Sequence, residues 1–391
     1  MKSNYKRLGD YIRQVNIKNT DGKVDLLVGV NLQKQFMSSV ANTIGTDLTK
    51  YKVIKKGQFG CKFMSVGRDG KLPIALMQEH EEAIISSAYY VFEVKDESEL
   101  LSEYLMMWLS RSENDRYLWF ISGADVRGSI SWDDFCSIEI NIPSIEKQKE
   151  IVKEYHTIEK RIQLNEQLNQ KLEETAQAIY KEWFVDFEFP DENGKPYKSS
   201  GGKMIYNDEL NMEIPIEWDY TEVTNLSTIT AGGDKPKNVT HVKSDNFNVP
   251  IYANSTEREG LYGFTDQAKI TKKAITISAR GAIIGYTVLR LIPFVPIVRL
   301  IVIIPKIDEL TNYLYESIKN FTFHNASSAQ GQLTVPSISS YKILKPNRSV
   351  LKKFQDLTNA IINTKENNKL EIENLNKLQE ILLSKMATIE D

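Results

Sequence analysis

Apolar residues recur at alternating steps of four and three between Ser144 and Phe184: Ile151, Tyr155, Ile158, Ile162, then Leu172, Ala176, Ile179 and Trp183. That spacing is a heptad seam, the mark of a helix that pairs lengthwise with another. No Pro or Gly interrupts the stretch. It predicts one helix of about 40 residues and about 60 Å, far longer than an ordinary globular helix. Asn165 and Asn169 fall on the seam, where a polar residue weakens pairing but fixes its register.

The pattern returns 203 positions along: Ile151 maps on Phe354, Ile158 on Ile361, Asn165 on Asn368, Leu172 on Leu375 and Ile179 on Leu382. The same offset carries Pro143 to Pro346, Ile140 to Ile343, Ser131 to Thr334 and Gly128 to Gly331. Upstream, an offset of 209 carries Leu101, Tyr104 and Leu105 to Leu310, Tyr313 and Leu314. The chain therefore reads as two diverged copies of one unit, a globular domain followed by a long helix. Residues 1–143 form the first domain and 144–190 the first helical spacer. A linker, 191–214, leads to a second domain, 215–346, and a second spacer, 347–391. If the two seams pair, the second helix returns toward the first domain. The expected fold is α+β: two similar globular domains joined by two long antiparallel helices in a coiled coil, with pseudo-two-fold symmetry.

Within the domains, strands are expected at Leu26–Leu32, Lys52–Ile54 and Ile84–Val94, the last rich in β-branched and aromatic residues. A helix is expected over Leu100–Arg111, after an acidic turn. A short helix capped by Ser131 precedes a strand, Ser137–Ile142. In the second domain the expected strands are Val249–Tyr252, Ala274–Ser278, Gly285–Leu289 and Val298–Ile304, followed by a helix over Asp308–Lys319.

Composition narrows the class. The 391 residues are 41% hydrophobic and 26% charged, as in a soluble globular protein. No apolar run reaches the length of a membrane span, and the N-terminus lacks a signal-peptide core. With two cysteines and no metal-ligand spacing between them, a reduced, cytoplasmic protein is expected. Net charge is −3, which is not the global footprint of a nucleic-acid binder. The first spacer is net acidic, however, and the second domain mildly basic. Any nucleic-acid contact must come from local patches or from basic partners.

Catalytic motifs are missing. Gly67-Arg68-Asp69-Gly70-Lys71 is too short for a phosphate-binding loop, and no HExxH, CxxC or Asn/Asp-Pro-Pro-Tyr tetrad occurs. The four histidines are scattered. Asp186, Glu188, Asp191, Glu192 and Lys195 resemble a nuclease cluster less than a solvated helix exit. The chain reads as non-catalytic, with no cofactor or metal site of its own.

What remains is surface loops on a duplicated scaffold, where binding residues concentrate. Two similar heads at a fixed spacing suit a repetitive, two-fold related ligand, and duplex DNA is one. Lysine and arginine suit phosphates; Asn, Gln, Ser and Arg suit base edges. The candidates in the first domain are Lys55, Lys62, Arg68, Arg127 and Ser129. In the second they are Lys235, Lys237, Lys272, Arg280, Asn325, Gln330 and Gln332. Helix pairing is assigned to Ile151, Ile158, Ile162, Asn165, Leu172 and Ile179, with Phe354, Ile361, Asn368, Leu375 and Leu382. A scaffold whose two heads bind proteins or peptides remains the alternative from another class.

The whole chain resembles the specificity subunits of Type I restriction-modification enzymes. The resemblance rests on the duplication and on several short motifs: Trp183-Phe184-Val185-Asp186-Phe187 after the first helix, the opening Leu8-Gly9-Asp10, and Val249-Pro250-Ile251-Tyr252. Ser278-Ala279-Arg280-Gly281 with Gly285 adds to it, Ala279 standing where the family commonly has a glycine. So does the helix Asn367–Met386. The resemblance implies that each globular domain is a target recognition domain reading one half of a bipartite double-stranded DNA sequence. It implies helices that set the gap and dock two methyltransferase subunits, with two restriction (motor) subunits completing the assembly. S-adenosylmethionine, ATP and Mg²⁺ would then belong to those partners. A related system cutting on both sides of its site fits the same residues.

Overall fold

The computed structural model describes residues 5–38, 46–123, 128–321 and 331–388. The chain divides into two compact units: Met1–Glu166 with Lys369–Asp391, and Gln167–Asn368.

In unit 1 the opening strand Tyr5–Arg7 pairs antiparallel with Glu139–Asn141. A one-turn helix, Leu8–Tyr11, then delivers the chain to a four-stranded antiparallel sheet. Its order is Ile12–Val15, Tyr90–Val94, Phe59–Cys61, Ile74–Leu76. A second sheet holds Phe36–Ser38, Leu27–Val30, Glu82–Ile85 and Lys52–Lys55, in that order, with Leu27–Val30 parallel to Glu82–Ile85. Helices Ser102–Leu109 and Ser112–Ile121 follow, then Trp132–Cys136. The core joins Leu8, Phe59, Phe92, Tyr104 and Phe135 to Ile151 and Val152 of the first long helix and to Met386.

Unit 2 repeats the plan. Asp219–Glu222 pairs with Lys342–Lys345, and a one-turn helix, Val223–Leu226, follows. The four-stranded sheet runs Ser227–Ala231, Leu300–Pro305, Ala274–Ser278, Thr287–Arg290, the same order as in unit 1. A second sheet again has one parallel pair, Val249–Tyr252 with Val295–Pro296, and an antiparallel neighbour, Leu261–Thr265.

Local chemistry explains the shared frame. Ser131 and Thr334, 203 positions apart, each form a reciprocal capping box, with Asp134 and Ser337 as partners. Each box satisfies two orphan helix donors. Tyr104, fully buried, donates its hydroxyl to the Asn141 carbonyl at 3.1 Å. Tyr313, 209 positions on, donates to the Leu344 carbonyl. In both units this bond ties the helix to the strand that leads into a long helix.

The first long helix is Ile145–Phe184, 40 residues, and the second Arg348–Lys385, 38 residues. Within each unit they run antiparallel. In unit 1 Asn141 donates to the Met386 carbonyl at 3.1 Å, and Arg161 meets Glu371 at 2.7 Å. In unit 2 Asn368 donates to Asn169 at 2.9 Å, and the Trp183 and Phe354 rings lie 5.7 Å apart. Ile151, Ile158, Asn165, Phe354 and Asn368 are buried, whereas Ile162, Leu172, Ile179, Ile361, Leu375 and Leu382 are half-buried. A two-helix seam covers only one side of each side chain, so partial exposure is its natural state.

Two elements differ from expectation. Ile84–Val94 is not one strand. It breaks into Glu82–Ile85 and Tyr90–Val94, which belong to different sheets. The turn between them is closed by Tyr89 N–H donating to the Ser86 carbonyl at 3.0 Å, with Ala88 N–H on the Ser86 hydroxyl. Serine hydroxyls compete for backbone donors in this way. The stretch 191–214 is not plain linker: a hairpin, Met204–Asn207 with Met212–Pro215, begins in it and ends one residue beyond it. Among the described residues no helix is long and apolar enough to cross a membrane.

Candidate nucleic-acid interface

In unit 2, strand Ala274–Ser278 runs out into the Arg280 turn. Gly281 and Gly285 hold positive φ, +80° and +84°, a conformation that carries little penalty for glycine alone. Four backbone bonds pin the turn: Gly285 N–H to the Ser278 carbonyl, Ser278 N–H to Tyr286, Ala279 N–H to Arg299, and Leu333 N–H to Ala279, all 2.9–3.0 Å. An isolated bridge joins Arg280 to Gln332. Their side chains meet as well. Arg280 donates from Nε to Gln332 Oε1 at 2.6 Å, and Nη2 donates to the same oxygen. Asn254 Nδ2 donates to the Arg280 carbonyl at 3.0 Å. Both Arg280 and Gln332 are exposed.

A second feature of unit 2 surrounds Lys235 and Lys237. Lys235 Nζ sits 5.7 Å from the centre of the Tyr262 ring, a cation–π distance. Lys237, Asn238, Gln267 and Lys269 line a cleft of about 420 Å³ with Asp266. Hydrogen bonds from the Asp266 backbone, the Thr265 hydroxyl and Asn238 hold the Asp266 carboxyl below its ordinary range. Lys272 is exposed in the neighbouring turn.

In unit 1 the candidates are scattered. Lys55 is exposed at the end of strand Lys52–Lys55. Lys62 follows a strand of the other sheet and lies over the Tyr89 ring at 5.8 Å. Ser129 is exposed beside Gly128, whose carbonyl accepts from Gly67 N–H at 3.2 Å. Arg127, Asn325, Gln330 and the Arg68 side chain lie outside the described residues.

The structure thus brings Arg280 and Gln332 together and sets Lys235 and Lys237 on one loop, while Lys55, Lys62, Ser129 and Lys272 stand apart from one another. Three residues escaped sequence reasoning: Asn254, which anchors Arg280, Tyr262, which supports Lys235, and Trp119. The Trp119 indole donates to the Gly67 carbonyl at 3.2 Å. Its helix exposes Tyr117, Trp119 and Phe120 at 49%, 40% and 73%, an aromatic patch that an amphipathic reading of the helix would have flagged.

Other chemistry finds little footing. Among the described residues no group of three or more His, Cys, Asp or Glu could hold a metal ion. Burial pushes the Cys61 thiol well up and the Cys136 thiol up, away from the reactive thiolate. The carboxylates after the first long helix close turns: Glu188 accepts from Ser199, and Asp191 from the Asn193 and Lys195 N–H groups.

Residues 54–174 and 215–381 match the Type I restriction modification DNA specificity domain. A Mycoplasma pneumoniae protein described as a type I specificity subunit is 35% identical over 129 residues, 33% of this chain and 34% of that one. The specificity subunit of the Type I restriction enzyme MjaIX from Methanocaldococcus jannaschii is 24% identical over 307 residues, 74% of this chain and 68% of that one. The crystal structure of the S subunit of a Type I restriction-modification system from M. genitalium superposes with a TM-score of 0.58 at 13% identity, covering 99% of this chain and 96% of that one. That likeness is one of fold.

Proposed function

The chain belongs to the family of Type I restriction modification DNA specificity domains, and on that premise we propose that it reads DNA for a restriction-modification assembly, each unit taking one half of a bipartite target. The observation that carries this reading is the duplicated frame with unlike loops. Sheet order, capping boxes and the buried tyrosines repeat, while the third strand of the four-stranded sheet is followed by the Arg280 turn in unit 2 and, in unit 1, by a one-turn helix, Val66–Asp69, whose Gly67 carbonyl accepts from Trp119. A repeated frame holds two readers in the same way. Unlike loops let them read different bases.

The long helices would dock two methyltransferase subunits. Leu164, Leu168, Leu370, Leu378 and Ile381 lie on them and remain 44–57% exposed, the kind of apolar surface that a partner covers. The number of helical residues would set the gap between the half-sites. S-adenosylmethionine, ATP and Mg²⁺ would reside on the methyltransferase and restriction subunits, and this chain would contribute no catalytic group.

Mapping methylated adenines in the host genome, with and without this chain, tests the reading. A bipartite sequence with a fixed gap, methylated only when the chain is present, is expected. Identical methylation in both backgrounds overturns it. Deleting one heptad from both long helices should shorten the gap or abolish activity, and an unchanged gap would rule out the ruler.

A further inference from the structure

We propose that unit 2 reads a guanine with Arg280, and that Gln332 aims the guanidinium instead of reading a base itself. The inference rests on the DNA-reading role above and assigns a base to one residue.

The geometry decides which donors are left. A guanidinium carries five N–H donors in a fixed planar fork. Nε and Nη2 each turn one hydrogen toward Gln332 Oε1. Among the described residues, the two hydrogens on Nη1 and the second on Nη2 have no partner. The second Nη2 hydrogen and the Nη1 hydrogen beside it lie parallel at the far end of the fork and point away from Gln332. Two parallel donors at that spacing match O6 and N7 of guanine. In the major groove no other base offers two adjacent acceptors: adenine pairs an acceptor with a donor, thymine has one acceptor, and cytosine has a donor.

The same geometry removes Gln332 as an adenine reader. That contact needs the amide oxygen to accept from adenine N6, and here the oxygen already holds Arg280.

A phosphate also accepts from a forked arginine. It does not account for the restraints on this one. Phosphate oxygens can be approached from many directions and carry no sequence information, so a mobile surface arginine serves them well. Arg280 is instead held at three points. Gln332 fixes its plane, Asn254 fixes its carbonyl at 3.0 Å, and the bridge to Gln332 fixes its backbone. Ordering a long side chain before binding lowers the entropy lost on contact, which benefits a contact that demands one plane and one angle. Among the described residues, an added Cβ at Gly281 would meet nothing within 4 Å. The backbone beside the fork is therefore open to an approaching groove.

The test uses the full chain assembled with its methyltransferase subunits and a pool of random-sequence duplexes at fixed salt. The wild type should enrich a sequence with a guanine in one half. Arg280→Ala and Arg280→Lys should both relax the preference at that base pair by roughly 10- to 100-fold and leave the other half unchanged. Replacing that guanine by 7-deazaguanine, which lacks N7, should weaken wild-type binding and leave Arg280→Ala binding unchanged. Gln332→Ala should relax the same base pair partially, and Gln332→Glu, whose carboxylate accepts both N–H groups, should restore it.

Uniform weakening across sequences by Arg280→Ala, with a salt slope lower by about one, would identify a phosphate contact and overturn the proposal. So would a preference lost at an adenine in Gln332→Ala, or a pair of half-sites indifferent to Arg280→Ala. A pool from which the wild type enriches nothing overturns the DNA-reading role, and this inference with it.

Discussion

In unit 1 the helix Ser102–Leu109 buries Met107 in the core. In unit 2 the corresponding helix, Thr311–Lys319, places Glu316 at the same step, 209 positions on, and just as deeply: both residues are 4% exposed. Ser110 becomes Lys319 by the same offset. Lys319 contacts Glu173 of the first long helix and lies 3.8 Å from Glu316. Lys365 of the second long helix also contacts Glu173. At this step one frame therefore buries a methionine in unit 1 and an ionic cluster that reaches the long helices in unit 2. The frame demands volume at this spot, not a particular chemistry. An ion pair in place of an apolar contact is rarely the more stable choice, because two charges must leave water. Unit 2 is expected to be the weaker-packed of the two here and the more sensitive to pH.

The largest effect expected is where both units agree. Phe354 is fully buried, with the Phe184 ring 4.9 Å and the Trp183 ring 5.7 Å from its own. Ile151, its counterpart 203 positions earlier, is 2% exposed in the unit 1 core. Phe354→Ala should cost about 3–5 kcal/mol and Ile151→Ala about 2–4 kcal/mol, read by urea unfolding of the full chain. A loss under about 1 kcal/mol at either site would break the equivalence of the two anchors.

The ionic cluster gives the next effect. Burial pushes the Glu316 carboxyl up to about 7, with Lys365 pulling the other way. A carboxyl whose folded pKa lies above its unfolded value binds its proton more tightly when folded. Stability is then greatest below the unfolded value, and it falls as pH rises through the folded value. The window runs from pH 4.5 to about 7, and the loss across it is of order 3 kcal/mol. Glu316→Met, which copies Met107, should abolish that slope. It should stabilise the chain at pH 8 by about 1–3 kcal/mol and change little at pH 5. Parallel pH profiles for wild type and variant would show that Glu316 is not the titrating group.

Much of this frame is legible in the chain, because repeated local chemistry writes it. Heptad spacing marks Ile151 and Phe354, and the Ser131 cap is visible from its neighbours. The 209 offset links Tyr104 to Tyr313 before either hydroxyl has a partner. What stays hidden is set by contacts distant in sequence. Arg280 and Gln332 stand out singly, but their pairing spans 52 positions and depends on how two turns meet. Glu316 lies in a helix where a glutamate ordinarily faces water, and only the packing of two other helices against it reveals its burial. The break at Ser86 is hidden for another reason: β-rich residues on both sides of a serine turn read as one strand.

The smallest effect concerns the two seam asparagines, and it separates the units by sign. Asn368 donates to Asn169 at 2.9 Å in unit 2, a matched pair across the helices. Asn165 is 3% exposed in unit 1 and stands beside Glu371, yet among the described residues its buried amide nitrogen has no hydrogen bond of good geometry. A buried donor without a partner costs more than an apolar side chain in its place. Asn165→Leu should therefore stabilise the chain by up to about 1 kcal/mol. Asn368→Leu should cost about 0.5–1 kcal/mol, since it strands the Asn169 amide, which is half-buried and can turn partly to water. Replacing both Asn169 and Asn368 by leucine should recover that loss, leaving the helices less firmly held in register. Thermal unfolding of the three variants reads the signs directly. If Asn165→Leu destabilises as much as Asn368→Leu does, both asparagines are paired, and the seam is the same in the two units.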